Sequence, residues 1–300
     1  MEKIKNINYY KVADLVFEIV LPEFADAEVL LPSFAPFRYM DYDEKTDELC
    51  MRMDVSDVYT ESTEESQFIN DSVNDMGYVS LHVTEDGYKI EIKARDNSCL
   101  HYMTAGRDFR NVVATVNWDD HYTGMVVSSM VRMAFSQAIL EHDAVSVHAS
   151  CVYTEGEAYM FMGKSGTGKS THSALWINSF CGCDLLNDDN PIIRVKDDGV
   201  WIYGSPWSGK TQCYKNLSFP LKGAVLLRQA AINRFFYCKE IKAFVTLLPS
   251  CSVIREDRHL HDCLCDILVK ITDKVTVGTL ECLPDREAAL LCKEKLKNNI

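Results

Sequence analysis

The sequence predicts an α/β protein in two parts, a mostly β N-terminal region and a region in which strands and helices alternate. The first observation is a change in the spacing of apolar residues. Short segments in which apolar and polar residues alternate fill residues 1–120, and apolar residues with helical spacing follow from Thr123. The second is a glycine-rich loop between an apolar strand and a helix. Three hundred residues suffice for two modest domains with buried cores. We therefore expect domains over residues 1–120 and 121–300.

The N-terminal region is predicted to be an antiparallel, mostly β domain. Alternating apolar and polar residues, separated by acidic turns rich in Asp and Asn, are typical of half-buried strands. The segments with this pattern are residues 17–20, 37–41, 48–55, 77–84, 88–94 and 98–104. We identify no catalytic group of residues in this region.

From Thr123 the apolar residues recur with helical spacing, which predicts a helix that ends near His142. Strands follow at residues 144–153 and 158–162, joined by a hairpin turn, and then a helix at 171–180 and a buried strand at 183–186. Beyond residue 220 the pattern predicts strands at 223–227 and 275–280, and helices at 239–248, 257–271 and 286–297.

Composition and charge exclude several classes of protein. The net charge of −13 argues against a nucleic-acid partner, because phosphate backbones are bound by clustered Lys and Arg. The N-terminus lacks the apolar core of a signal peptide, and no apolar stretch approaches membrane-spanning length. Twelve scattered cysteines are typical of free thiols, and two Cys-x-Cys pairs lack the spacing of structural zinc. We expect a cytoplasmic protein without a membrane partner.

Residues 163–170 read Gly-Lys-Ser-Gly-Thr-Gly-Lys-Ser, a complete phosphate-binding loop. Such a turn directs successive backbone N–H groups at a phosphate, and the following helix adds its partial positive charge. In this motif Lys169 reaches the β- and γ-phosphates and the Ser170 hydroxyl binds magnesium. The sequence therefore predicts a nucleotide site here, with ATP as the default nucleotide and Mg²⁺ as the metal.

A pair of aspartates, Asp188 and Asp189, follows the buried strand at residues 183–186. Phosphoryl transfer needs a carboxylate for Mg²⁺ and often another group that orients or deprotonates the attacking hydroxyl. Neighbouring side chains of a regular strand face opposite ways, so we expect both to act only if the strand has ended. The alternative is a simple Asn-Asp-Asp-Asn turn, since these residues favour turns.

The segment at residues 204–211, Gly-Ser-Pro-Trp-Ser-Gly-Lys-Thr, predicts a stiff turn followed by a flexible one. Lys210 is a candidate for contact with the γ-phosphate or an acidic acceptor. Trp207 either covers the site or anchors the core. Arg228 and Arg234 are candidates for stabilising transition-state charge, and the sequence does not choose between them.

The ordered series of His148-Ala-Ser, the loop at 163–171 and Leu-Asn-Asp-Asp-Asn at 186–190 resembles the catalytic half of HPr kinase/phosphorylase. It also looks like phosphoenolpyruvate carboxykinase, a related phosphate-loop family. The resemblance covers residues 144–210, and the segment at 204–211 resembles bacterial HPr-kinase-like proteins that carry the same turn. It implies an α+β catalytic domain with a mixed sheet, and a homo-oligomer.

The resemblance also implies a kinase that moves the γ-phosphate of ATP onto a hydroxyl, and we expect that hydroxyl to belong to a small molecule or a peptide serine. We expect the acidic N-terminal domain to select or dock the acceptor, or to have a regulatory role. A nucleotide-gated binding protein and a generic ATPase are the alternatives. Asp188 and Asp189 would serve the metal and the acceptor hydroxyl, and His148 is a candidate acid or base. The residues implied to bind the triphosphate are Gly163, Lys164, Ser165, Gly166, Thr167, Gly168, Lys169, Ser170 and Thr171.

Overall fold

A computed structural model describes residues 6–60, 65–74, 77–94, 99–209 and 211–297 of the chain. The chain divides into two compact units, Met1–Ile139 and Leu140–Ile300. The sequence placed the domain boundary near residue 120, ahead of the helix that begins at Thr123. That helix lies in the first unit because its buried face packs there, with the Phe135 ring 5.0 Å from the Phe17 ring.

The N-terminal unit is built on one eight-stranded sheet. Its strands are β1 (Asn6–Val12), β2 (Leu15–Leu21), β3 (Leu49–Val55), β4 (Gln67–Asn74), β5 (Gly77–Val83), β6 (Gly87–Lys93), β7 (Leu100–Gly106) and β8 (Asn111–Thr115). The spatial order is β1-β2-β3-β8-β7-β6-β5-β4. The pairs β2–β3 and β3–β8 are parallel, so the expectation of an antiparallel region was wrong at the centre of this sheet.

Helices cover part of this sheet. They are α1 (Ala27–Leu30), a 3-10 helix at Pro32–Phe37, and α2 (Thr123–Ala138), which continues as a 3-10 turn at Ile139–His142. β2 reads Leu-Val-Phe-Glu-Ile-Val-Leu and is buried throughout, and its Phe17 packs against Phe34 and Phe135 of the helical layer. Phe17, Phe34 and Phe135 are fully buried and form the core of this layer.

The C-terminal unit contains a nine-stranded sheet. Its strands are β9 (Ala144–Ser146), β10 (Ala149–Thr154), β11 (Glu157–Met162), β12 (Asp184–Asp189), β13 (Ile192–Lys196), β14 (Gly199–Tyr203), β15 (Ser218–Gln229), β16 (Arg234–Cys238) and β17 (Thr276–Cys282). The main path is β12-β10-β11-β15-β14-β13-β9, and the long strand β15 also pairs with β17, which pairs with β16. Among the described strand pairs of this sheet, β11–β15 and β15–β17 are parallel and the others are antiparallel, so the predicted mixed sheet and α/β fold class are confirmed.

The helices of this unit are α3 (Lys169–Ser179), α4 (Ile241–Leu247), α5 (Arg258–Lys274) and α6 (Arg286–Lys297), with a 3-10 turn at Leu248–Ser250. α3 packs its buried Trp176 against Tyr159 and Phe161 of β11. Within the described part of the chain, no helix combines the length and the apolar character that crossing a membrane requires.

Most predicted elements of the C-terminal unit are confirmed, and the exceptions have local causes. The strand expected over 144–153 is two strands, because the His148 N–H donates to the Ser250 carbonyl at 2.7 Å and the sheet pairing breaks there. The predicted hairpin turn is present, with Glu155 and Gly156 both at positive φ. In the N-terminal unit, the prediction of a strand at 37–41 was wrong, because Phe37 ends the Pro32–Phe37 3-10 helix and Arg38 makes only an isolated bridge with Tyr10.

Candidate active site

The phosphate-binding loop connects the end of β11 at Met162 to the start of α3 at Lys169. Gly163, Gly166 and Gly168 all have positive φ, which only glycine adopts without strain. A turn inside the loop is closed by the Thr167 N–H and hydroxyl, which donate to the Lys164 carbonyl at 3.1 and 2.7 Å. The loop therefore has the backbone conformation that presents N–H groups at a helix N-terminus.

Lys169 is held inside the loop rather than extended into solvent. Its ammonium donates to the Gly163 carbonyl at 2.9 Å and to His148 Nε2 at 3.0 Å. Burial lowers the pKa of Lys169, and the nearby carboxylates of Asp189 and Asp188 oppose that shift. The cation is thus already positioned where the motif requires positive charge for a bound phosphate.

The two aspartates contact different residues at the phosphate-binding loop. The Ser170 hydroxyl donates to the Asp188 carboxylate, with Oγ 3.0 Å from Oδ1 and 3.2 Å from Oδ2. Asp189 Oδ1 lies 2.9 Å from His148 Nδ1. β12 runs through Asp189, so both aspartates lie within the strand and not beyond its end. Both side chains have a partner because Ser170 and His148 lie around the last residues of β12, which is the edge strand of the sheet.

Asn187, which precedes the aspartates, fixes the end of β12. Its Nδ2 donates to the Ser205 and Trp207 carbonyls at 3.4 and 3.0 Å, and its Oδ1 accepts from the Asp189 and Asn190 N–H groups. The sequence analysis did not identify Asn187 as a site residue, because an asparagine in the segment Asn-Asp-Asp-Asn indicates only a turn.

The segment at residues 204–209 packs against the end of β12. The Gly209 N–H donates to the Asp188 carbonyl at 2.7 Å, and a Cβ on Gly209 would lie 2.6 Å from that oxygen. The Trp207 side chain is buried, so it anchors this segment. Lys210 lies outside the described residues.

Five of the predicted site residues therefore meet at one end of the sheet, where β10, β11 and β12 end or begin. They are His148, Lys169, Ser170, Asp188 and Asp189. The exposed residues in the middle of the loop are Lys164, Ser165 and Gly166. Of the two arginine candidates, Arg228 lines a cavity that borders the loop, whereas Arg234 is exposed on β16, opposite Glu281 of β17.

Two cavities border the loop on its β15 side. One of about 490 Å³ is lined by residues 163–167 and 226–229. The other, of about 370 Å³, lies between the start of α3 and the residues that follow β15 and β17. Gln229, the last residue of β15, connects this strand to the loop, because its Nε2 donates to the Gly166 and Thr167 carbonyls at 3.4 Å. Its position depends on the β11–β15 pairing, which no sequence pattern reveals.

The side chains of Ser170 and Asp188 suit a magnesium ion. Their oxygens already lie within about 3 Å of each other, and Mg²⁺ prefers hard oxygen ligands of this kind. Asp188 is 5% exposed, and a buried carboxylate beside a phosphate loop is a typical ligand of such an ion. Asp189 instead accepts one hydrogen bond on each oxygen, from His148 and from Asn190, and it makes no hydrogen bond with Ser170 in the structure.

A second polar cluster lies in the N-terminal unit. Cys99, His101 and Asp120 are the one set of three potential metal ligands within 4.8 Å of one another among the described residues. However, the Asn117 N–H donates to His101 Nδ1 at 3.2 Å, which leaves the imidazole proton on Nε2. Nε2 lies 2.9 Å from Asp120 Oδ2 and donates to it, so its lone pair does not serve a metal. We interpret the cluster as a hydrogen-bonded network.

The comparisons with known proteins give a distant structural similarity only. No family model matches the sequence, and no curated protein matches it either. Among solved structures the chain is similar to the HPr(Ser) kinase/phosphatase from Coxiella burnetii, at 12% sequence identity and a TM-score of 0.30. The match covers 51% of this chain and 88% of that chain, and at these values it carries no information on activity.

Proposed function

We propose that the chain is a nucleotide-dependent phosphotransferase that moves the γ-phosphate of ATP to a hydroxyl of a small molecule or of a peptide serine. The observation that carries this proposal is the convergence of Lys169, Asp188 and the His148–Asp189 pair on one phosphate-binding loop. A loop that only binds a nucleotide needs the lysine and the serine. A histidine–carboxylate pair beside them supplies the proton acceptor that transfer to a hydroxyl requires.

The hydrogen bonds define the protonation of the histidine. The Lys169 ammonium donates to His148 Nε2, so the proton of a neutral ring is on Nδ1 and is donated to Asp189. Asp189 is half-exposed and stands at the strand end, where an acceptor hydroxyl can approach. In this mechanism Asp189 receives the acceptor's proton, and His148 holds its carboxylate in place.

The other residues act on the phosphates. Lys169 and the backbone N–H groups of the loop neutralise charge on the β- and γ-phosphates as transfer proceeds. Ser170 and Asp188 would hold a magnesium ion, which when bound neutralises phosphate charge and orients the triphosphate. The buried position of Asp188 suits this role, and the half-exposed position of Asp189 suits contact with the acceptor.

The proposal is tested with ATP labelled at the γ-phosphate, Mg²⁺ and either a small-molecule extract of the source cells or serine peptides. We expect label to move to a discrete acceptor, and we expect Lys169→Ala to abolish the transfer because the phosphate charge is no longer neutralised. Asp197→Asn, an exposed change in the turn between β13 and β14, is the matched control and should transfer normally.

The same experiment separates the proposal from nucleotide binding without chemistry. Tight ATP binding with no label transfer, to extract or peptides, would contradict a phosphotransferase and favour a nucleotide-gated binding protein. Release of labelled phosphate to water, with no labelled acceptor, would instead indicate an ATPase.

A further inference from the structure

The 370 Å³ cavity beside the loop has two walls. One wall is formed by α3, and the other is formed by the ends of β15 and β17 and the residues that follow them. Its larger apolar residues are Leu175 of α3, Leu227 of β15, and Leu283 and Pro284 after β17. Its volume is within the range of small-ligand sites, which are largely apolar with a few placed polar groups. Thr171 and His172, immediately after Lys169 and Ser170, contribute polar groups to the lining, as do Thr167 and Gln229.

The order of strands separates this cavity from the proposed acceptor side. His148, Asp188 and Asp189 belong to β12 and the start of β10, on one side of β11 and its loop. The cavity lies on the other side, beside β15 and β17. A triphosphate on the loop whose γ-phosphate faces Asp189 therefore extends its other end toward this cavity.

His172 brings an unused hydrogen-bond donor to the cavity. The side chain is 3% exposed, and the Trp176 indole N–H donates to its Nε2 at 3.1 Å, which places the ring proton on Nδ1. No acceptor for Nδ1–H is found in the described part of the chain, and the residue lines the cavity.

The opposite wall is held in shape by Asn233. Its Nδ2 donates to Asp285 Oδ1 at 2.9 Å, and its Oδ1 accepts from the Leu283 N–H at 2.8 Å. The Ala230 N–H donates to the Cys282 carbonyl at 3.1 Å. The ring of His172 is likewise fixed, edge-on to Phe161 at 4.7 Å. Both walls are therefore preformed, which reduces the entropy lost when a ligand binds.

We infer that this cavity binds the nucleoside of the triphosphate, and that His172 Nδ1–H donates a hydrogen bond to it. The inference rests on the proposed function, because it assigns the part of the nucleotide that the phosphate loop does not contact. Leu175, Leu227 and Leu283 would enclose the flat base and the sugar, and His172 would fix their orientation.

The test compares ATP with inorganic tripolyphosphate, which carries the phosphates without a nucleoside, by titration calorimetry in the presence of Mg²⁺. Leu283→Trp fills the cavity from a position that is 39% exposed, so the fold is preserved. We expect ATP affinity to fall about tenfold or more, while tripolyphosphate affinity changes less than about twofold. Leu290→Trp, at the equally exposed Leu290 on α6, is the control and should change neither affinity.

A second variant tests the histidine itself. His172→Phe keeps a ring against Phe161 and removes the donor, so ATP affinity should fall about threefold to tenfold with tripolyphosphate affinity retained. Equal weakening of both ligands, or no weakening of ATP by Leu283→Trp, would overturn the inference and leave the proposed function intact. Failure of the unaltered protein to bind either ligand would overturn both.

Discussion

The two neighbouring aspartates differ in what surrounds their carboxylates. Asp188 is buried against the Ser170 hydroxyl, whereas Asp189 is half-exposed and bonds His148 and Asn190. A buried carboxylate beside a hydroxyl suits a metal ion, and an accessible one beside a histidine suits proton transfer. The sequence offered both aspartates for either role, because their burial depends on strand pairing.

We expect the two aspartates to give different kinetic defects. Asp189→Asn removes the proton acceptor, so transfer should fall about 100-fold or more while Mg²⁺–ATP affinity is kept. Asp188→Asn weakens a metal ligand, so the Mg²⁺ concentration for half-maximal transfer should rise. Transfer rates across a Mg²⁺ titration measure both effects. The same defect in both variants would contradict the division of roles, and Asp197→Asn controls for loss of charge alone.

At the scale of secondary structure, local motifs predicted the strand–loop–helix at residues 158–180, because each part bonds to its neighbours along the chain. The pairing of β11 with β15, which brings Gln229 to the loop, is a contact between distant segments and has no local signal. The interruption at His148 was missed for the same reason, since its cause is the distant Ser250 carbonyl.

Asn187 shows how one side chain joins two elements, because it connects the end of β12 to the segment at 204–209. Asn187→Ala leaves the Asp189 and Asn190 N–H groups without their acceptor in a fully buried position. We expect the free energy of unfolding to fall by about 1–3 kcal/mol, measured by urea denaturation. Transfer should fall as well, because Asp189 loses its fixed backbone.

The control for this change is Gln212→Ala, an exposed substitution just beyond the same segment, which should alter neither stability nor transfer. An Asn187→Ala protein with unchanged unfolding free energy would show that the connection between β12 and the 204–209 segment contributes nothing to the fold.

At the scale of the whole molecule, all of the net charge belongs to one unit. Residues 1–139 contain 25 acidic and 12 basic side chains, a net charge of −13, whereas residues 140–300 contain 19 of each. The unit that contains the glycine-rich loop therefore has no net charge, and under the proposed function the acidic unit is the one that would attract a basic acceptor. The selection of acceptors by the N-terminal unit stays a prediction.

This asymmetry predicts a salt effect on peptide acceptors. A serine peptide flanked by Lys or Arg should show a KM that rises about threefold or more between about 0.05 M and about 0.5 M NaCl, because salt screens exposed charges. An uncharged peptide of the same length should show little change. Steady-state kinetics with both peptides measures the effect, and equal salt dependence would show that the acidic unit does not attract acceptors.

Each unit also contains a buried neutral histidine, His101 in the first and His172 in the second. Burial lowers the pKa of His101, although the bond with Asp120 opposes this, and burial lowers the pKa of His172 to about 4. A histidine with a lowered folded-state pKa binds fewer protons in the folded state than in the unfolded one. The contribution of such a histidine to the free energy of unfolding is therefore fully present above the unfolded pKa of about 6.5, and it is lost as the pH falls below that value.

For the second unit, the difference between about 6.5 and about 4 corresponds to a loss on the order of 3 kcal/mol by pH 4. His172→Gln removes the titration, so the unfolding free energy of Leu140–Ile300 should depend less on pH between these values than in the unaltered protein. Hydrogen exchange followed by mass spectrometry measures each unit separately. Gln212→Ala, an exposed change that adds and removes no titratable group, should leave the dependence unchanged. An unchanged slope in His172→Gln would show that His172 is already protonated in the folded protein or that its burial has no cost.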